Sequence, residues 1–299
     1  VFWARDAATT AAIRQTRETP HLPGTILPEA VAATSTLGDL AQADALVIAV
    51  PTQSLRDVCK ALAATLLTGQ PVISAAKGIE QATGRFTTEI IDEVLPGSPA
   101  AILSGPSFAA DIGRGLPTAV TLAASDPSLA QGLAEALTSP AFRIYHSGDP
   151  RGVEIGGAAK NVLAIAAGIA IGLGYGESAR AALVARGFAE LRRFGAAFGA
   201  QSETLMGLSG LGDVVLSCAS PQSRNFSFGL ALGQGKPVAE AAGGRLAEGA
   251  FTASILAEMA RNHSTEMPIA EAVAAIIAGR SGVREAVAGL LARPIRAEI

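Results

Sequence analysis

A doubly wound α/β domain on a parallel sheet, followed by an all-helical domain, is the fold class this sequence predicts. Three observations predict it. Over residues 1–149, short strands that are apolar throughout alternate with stretches of helical periodicity. Beyond 149 the strands stop and long Ala-rich helical stretches take over. At 299 residues, 49% apolar and 16% charged, the chain has the material for two domains, each with its own core. With only 4% aromatics against 33 glycines, that core must be Ala, Leu, Ile and Val, which favours closely packed helices.

Taken in order, VFWARD reads as the end of a strand, and HLPG (21–24) with the following GTIL as a loop into the next unit. ALVIAVP (45–51), PVISAAKG (71–78), AAILSGP (100–106), TAVTLAAS (118–125) and FRIYHSG (142–148) read as strands. Helices are expected at 54–67, 87–95 and 128–139 between them. Strands with no polar alternation need both sheet faces covered, the mark of a parallel sheet between helical layers. Ligands of such folds sit at the carboxyl ends of the strands. Helical stretches are then expected at 152–198, 248–262, 267–279 and 283–292. The domains are thus placed at 1–149 and 150–299, with the cleft between them as the default site.

Composition excludes several classes. A net charge of −3 supplies no basic face for nucleic acid. Two distant cysteines, Cys59 and Cys218, indicate a reduced, cytoplasmic protein. The histidines His21, His146 and His263 are scattered, so no metal site follows. The longest apolar run, 161–176, is punctuated by glycine and shorter than the ~20 residues a membrane span needs.

Two motifs carry chemistry. GLSGLGDVVLSCASPQSRN (207–225) puts Asp213 and a Ser223-Arg224-Asn225 triplet into one short stretch, and AAKN about fifty residues upstream sets Lys160 in an apolar segment. A charged amine there is expensive unless something pairs with it or uses it. Together these suggest an acid/base lysine, a carboxylate partner and an anion-binding arginine, acting on a small phosphorylated substrate. Each has a plainer reading: a surface lysine, an N-cap for the helix after Asp213, an ordinary helix start at SRN.

In order along the chain, FWAR, HLPG, AVPT, AAKGIE, LSGPSFA, GGAAKNVLAIAAG, GYGESARAALVARG, GLSGLGD, CASPQSRN and RLAEG resemble the bacterial-type NAD(P)-dependent glycerol-3-phosphate dehydrogenases. The resemblance runs from residue 1 to about 290. It implies a Rossmann-like first domain and reversible hydride transfer between NAD(P)H and dihydroxyacetone phosphate, giving sn-glycerol 3-phosphate for phospholipid synthesis. It makes Lys160 the catalytic residue. Reduction builds negative charge on the carbonyl oxygen, which a proton donor must meet, and oxidation needs the same group as base. An ordinary lysine, with pKa ~10.4, holds its proton too tightly; burial beside a second cation eases release. Lys77 is implied to be that cation and to contact both substrate and cofactor. A strand-end lysine snorkelling into water is the plain alternative.

The resemblance further assigns Gly105, Ser107, Asp213, Ser223, Arg224 and Asn225 to the substrate. Guanidinium and amide suit the phosphate end. Trp3, Arg5, Ala109, Leu246 and Glu248, with Lys77 and Arg224, are implied to contact the cofactor. Arg5 at a strand end leans towards NADP, whose 2′-phosphate an arginine accommodates, while Asp6 keeps NAD open. A homodimer through the helical domain is implied by the resemblance alone.

The chain departs from that pattern in three places. The Gly-rich turn expected one strand and one helix before FWAR is absent from these residues, which leaves the first domain N-terminally incomplete. The expected reason is a sequence that starts late rather than a turn that has been lost. Glu177-Ser178 stands where a small residue and Asn are common, and Ser217 where Thr is usual. Two other readings stay open: a related hydroxy-acid dehydrogenase, which would share Lys160 and Asn161 without needing Arg224, and a non-catalytic nucleotide-binding or regulatory remnant.

Overall fold

The computed structural model describes residues 1–244 and 247–294, which divide into two compact units. The first comprises Val1–Ala76 and Thr87–Pro150; the second comprises Lys77–Phe86 and the chain from Arg151 onward. The sequence reading left 77–86 inside the first domain, whereas that segment packs with the second unit.

In the first unit, β1 (Phe2–Trp3) pairs in parallel with β2 (Ala33–Thr34), joined through α1 (Ala7–Thr16). Asp6 starts α1 by accepting the N–H groups of Ala8 and Thr9, both at 3.1 Å. The helix ends at Arg17, which takes a left-handed conformation (φ 62°). A five-stranded sheet follows, ordered β3 (Leu46–Ile48), β4 (Val72–Ser74), β5 (Ala100–Ser104), β6 (Thr118–Ala124) and β7 (Phe142–Ser147). Its connections carry α2 (Thr52–Leu62), α3 (Thr87–Val94), α4 (Ala109–Gly113) and α5 (Pro127–Leu137). Each of the five strands of this sheet falls where the apolar runs predict one.

Both faces of the sheet are covered, which is why its strands read as apolar throughout. Val72 packs with Leu46, Ile48, Leu55 and Ile90 in one cluster. Its neighbour Ile73 points the other way, into a cluster with Ala101, Leu122 and Ala130. The architecture is the expected Rossmann-like α/β one, with a single difference in direction. β6 runs antiparallel to β5 while the other pairings are parallel. The β5–β6 connection carries only the five-residue α4, and the chain folds back instead of making a full crossover.

The second unit is helical. Its long elements are α6 (Pro150–Gly172) and α7 (Gly176–Ala197), separated at Gly174 and Gly176, both with positive φ. The stretch expected as one helix over 152–198 is therefore two. After α8 (Ser202–Met206) a π turn at Leu208–Gly212 runs into α9 (Asp213–Ala219). Then come α10 (Arg224–Gly233), α11 (Val238–Ala241), α12 (Glu248–Asn262), α13 (Pro268–Ile277) and α14 (Val283–Leu291).

Helix α6 corrects one expectation. At 23 residues it is long and apolar enough to cross a membrane, so length does not argue against a span. Burial accounts for its composition: every residue from Gly152 to Ala170 is buried, as a helix apolar on most sides requires. It meets α10 along a seam of glycines. A Cβ at Gly168 would collide with the Phe226 carbonyl and one at Gly229 with the Ile165 carbonyl, while Gly172 and Gly233 lie against each other's backbone. This near-contact of backbones fixes α10 beside the half of α6 that continues from Lys160 and Asn161.

Glu190 of α7 fastens another joint. It is 2% exposed and accepts the Ile269 N–H at 2.9 Å and the Ala270 N–H at 3.4 Å, two of the free donors opening α13. Burial pushes its carboxyl up from 4.5 to about 7, against the opposing pull of those N–H groups. Between these two values the native state holds a proton that the unfolded chain has released. Glu190 therefore supports the fold fully below pH ~4.5 and loses that contribution as pH rises to about 7. The loss is on the order of 3 kcal/mol. Glu190→Gln keeps an acceptor and cannot titrate. Urea unfolding of variant and wild type from pH 4.5 to 7.5 is expected to give a difference curve that flattens above pH ~7; a pH-independent difference would count against the shift.

Candidate active site

The second unit brings three of the charged residues singled out in the sequence onto one point. Asp213, 1% exposed, is the first residue of α9, immediately after the π turn. A side chain at Gly210 within that turn would collide with the Leu205 carbonyl, so glycine is required there to set the angle at which α9 begins. From that position Asp213 accepts a hydrogen bond on each oxygen. Lys77 Nζ donates to Oδ2 at 2.7 Å, and Lys160 Nζ to Oδ1 at 2.9 Å. One buried carboxylate thus holds two ammonium groups.

Ser217, one turn further along α9, completes the arrangement. Its hydroxyl accepts from Lys160 Nζ at 2.8 Å and donates to Asp213 Oδ1 at 3.1 Å. The sequence marks Ser217 as a departure from the family pattern that bears on substrate fit; its i+4 spacing from Asp213 puts both on one face of a helix. Burial lowers the affinity of Lys77 for its proton; Asp213 opposes that effect, Lys160 adds to it, and Glu248 raises the value in turn. The neighbouring Cys218 is no nucleophile, because burial drives its thiol up to about 12.

The segment bearing Lys77 is pinned at its far end. Phe86 lies beneath the Arg151 guanidinium, 3.8 Å from its ring centroid, and meets Phe198 edge-on. Gln81 donates to the Phe251 carbonyl and to Ser254 Oγ of α12, each at 3.2 Å.

A relay of amides joins the remaining elements. Asn161 Nδ2 donates to the Lys77 carbonyl at 3.0 Å, Asn225 Nδ2 donates to Asn161 Oδ1 at 2.9 Å, and the Gly249 N–H donates to Asn225 Oδ1 at 2.9 Å. Because a backbone group stands at each end, both amide orientations are fixed. A Cβ at Gly249 would come within 2.7 Å of both the Asn161 carbonyl and Asn225 Oδ1. Asn161 and Gly249 are the further residues that the sequence reading did not place in the site; adjacency to Lys160 and Glu248 was the available signal.

Of the other assigned residues, Ser223 is the N-cap of α10, its Oγ accepting the Phe226 N–H at 3.3 Å. Arg224 is exposed, and its guanidinium has no hydrogen bond or ion pair among the described residues. Glu248 opens α12, and Leu246 lies outside the described residues.

Trp3, Arg5, Gly105, Ser107 and Ala109 belong to the first unit. Trp3 Nε1 donates to the Ser35 carbonyl at 3.2 Å. Gly105 ends β5 with a positive φ, and a Cβ there would sit 2.8 Å from Val120 Cα. Ser107 Oγ donates to the Gly105 carbonyl at 3.0 Å, and Ala109 opens α4. Asp6 is occupied in capping α1 and also accepts from Thr9 Oγ1, while Arg5 is exposed without such a partner among the described residues.

This geometry can hold a proton on an amine, steady it with a carboxylate, and present a free guanidinium on a neighbouring helix. Comparison with known proteins bears on what it serves. The family model for the N-terminus of NAD-dependent glycerol-3-phosphate dehydrogenase matches residues 1–130, and the model for its C-terminus matches residues 149–288. A glycerol-3-phosphate dehydrogenase [NAD(P)+] of Methylobacterium radiotolerans is 58% identical over 299 residues, covering 99% of this chain and 90% of that protein. One from Rhodopseudomonas palustris is 56% identical over 297 residues, with the same coverage. The crystal structure of glycerol-3-phosphate dehydrogenase from Coxiella burnetii superposes with a TM-score of 0.92 at 36% identity, over 97% of this chain and 90% of that one.

Proposed function

This chain belongs to the NAD-dependent glycerol-3-phosphate dehydrogenase family, and on that premise we propose how its residues share the work. The enzyme is an oxidoreductase that interconverts dihydroxyacetone phosphate and sn-glycerol 3-phosphate with NAD(P). The single observation that carries the assignment of roles is the bridging of Lys160 and Lys77 by Asp213.

The cofactor, when bound, supplies or accepts the hydride. Lys160 delivers the proton to the oxygen that becomes the secondary hydroxyl, and takes it back in the reverse direction. Ser217 and Asp213 each hold the Lys160 amine through a hydrogen bond, which fixes its direction of approach. Lys77 adds positive charge where the carbonyl oxygen becomes negative. Asn161 fixes Lys77 by holding its carbonyl. Arg224 is the free cation for the phosphate, with Ser223, Asn225, Gly105 and Ser107 as further substrate contacts.

Cofactor contacts fall to Trp3, Arg5, Ala109, Lys77, Arg224, Leu246 and Glu248. The residues present fit a phosphorylated nucleotide: the Asp6 carboxylate is occupied in capping α1, and Arg5 beside it is exposed. This supports the preference for NADP, whose 2′-phosphate asks for a cation. The product is the backbone of glycerophospholipids, and we place its synthesis in the cytoplasm by a homodimer.

Oxidation of NADPH by the full-length protein with dihydroxyacetone phosphate tests this reading. Arg224→Ala is expected to raise KM for dihydroxyacetone phosphate about tenfold to a hundredfold, the worth of a charge-assisted hydrogen bond. At saturating NADPH its rate with unphosphorylated dihydroxyacetone should fall far less. An equal loss on both substrates would remove Arg224 from the phosphate, and an inert wild type would overturn the assignment.

A further inference from the structure

Helix α9 carries two members of the proposed proton-handling group, Asp213 and Ser217, yet it is only seven residues long. A helix this short leaves most of its terminal carbonyls without partners of its own. One of them is met from α7. Arg180 Nη1 donates to the carbonyl of Cys218, the residue after Ser217, at 3.1 Å. A cation at the C-terminal end of a helix also meets the negative end of its dipole. On its other side the guanidinium pairs through Nη2 with Glu177, one turn earlier on α7, whose side chain is 73% exposed. The third nitrogen, Nε, is buried and has no hydrogen-bond partner among the described residues.

We propose that Arg180 is a positioning residue for the dehydrogenase reaction: its grip on the Cys218 carbonyl fixes Ser217, and through Ser217 the amine of Lys160, while Glu177 holds the guanidinium in that pose. The proposal rests on the functional reading above. It also gives a shared purpose to Glu177 and Ser217, two positions at which this sequence departs from the pattern it resembles. Both belong to one chain of contacts, Glu177–Arg180–Cys218 backbone–Ser217–Lys160.

The test is steady-state kinetics of Arg180→Met, Ser217→Ala and the double variant in the full-length enzyme, with kcat followed across pH. Arg180→Met is expected to lower kcat about tenfold to a hundredfold, the effect of a small misplacement of the reacting group, and to shift the pH profile of kcat. KM for both substrates should stay within about twofold, because uniform binding is untouched. The double variant should be no worse than the poorer single, since both lesions act on one contact chain. Arg180→Lys, which keeps the charge and a donor, should recover part of the loss. A lowered melting temperature with wild-type kcat and pH profile would reduce Arg180 to a structural role and overturn the proposal. So would losses that multiply in the double variant.

Should Arg180→Met fail to fold, Glu177→Gln replaces it. Its kcat at low ionic strength should match that of wild type at high salt, where the exposed ion pair is screened. A Glu177→Gln enzyme equal to wild type at both salt concentrations overturns the proposal. An inert wild type strikes at the function, whereas an unchanged Arg180→Met beside an active wild type strikes at this proposal alone.

Discussion

Lys160→Met is expected to lower kcat for dihydroxyacetone phosphate reduction by about 10²–10⁴-fold, the usual contribution of a positioned general acid. Methionine fills a similar volume in the buried α6, so the side chain's packing survives while its proton is lost. Asp213 keeps Lys77 as a partner at 2.7 Å, and the variant does not leave that carboxylate buried alone. KM should therefore move little, and the loss should appear equally in kcat and kcat/KM, as expected for an interaction made mainly in the transition state. A folded variant retaining more than about a tenth of wild-type kcat would pass the proton-transfer role to another group.

For Asp213→Asn the larger effect should be on stability. The substitution keeps the shape of the side chain but removes the negative charge between two ammonium groups at 2.7 and 2.9 Å. Breaking a buried ion pair on one side costs about 3–5 kcal/mol, because the abandoned charge stays buried. Lys77 offers the escape, since burial already weakens its hold on its proton. Without the carboxylate that hold weakens further. The native variant then binds fewer protons than its unfolded chain, and stability rises with pH below the unfolded lysine value of ~10.4. The melting temperature should fall well below wild type at pH 7, and the gap should narrow at pH 9.5. A gap that is constant with pH would show that Lys77 is not the group left stranded.

Much of this protein was legible from sequence, for physical reasons that differ between its parts. The strands of the five-stranded sheet were visible because each is buried on both faces and so carries no polar alternation, as in Val72 and Ile73. Lys160 stood out because a charge inside an apolar run has to be compensated, and Asp213 because it closes a glycine-rich run that the family resemblance places in the site. What the sequence hid were facts of direction and distance. The reversal between β5 and β6 depends on how a short connector folds back, which hydrophobic pattern does not encode. The two breaks in expectation along α6 have the same origin. Its end at Gly172 turns on backbone conformation at Gly174 and Gly176, and its apolar length has meaning only once its neighbours are known. The amide relay from Lys77 to Gly249 was likewise out of reach, since it joins residues 84, 64 and 24 positions apart through groups that any asparagine or backbone carries. Ser217 is legible as a departure from the family pattern, but its link between Lys160 and Asp213 depends on distances that only the fold supplies.

The glycine seam between α6 and α10 sets a limit for anyone engineering this enzyme. Exchanging helical glycine for alanine is a standard way to stiffen a protein, worth about 0.4–1 kcal/mol where the backbone allows it. At Gly168, Gly172, Gly229 and Gly233 that route is shut, since the added methyl group would have to occupy space already filled by a carbonyl or an α-carbon of the facing helix. It stays open at Gly132 in α5 and Gly289 in α14, where nothing lies within 4 Å of the added atom. Thermostable variants should therefore accumulate changes on these outer helices, while the α6–α10 crossing keeps its composition.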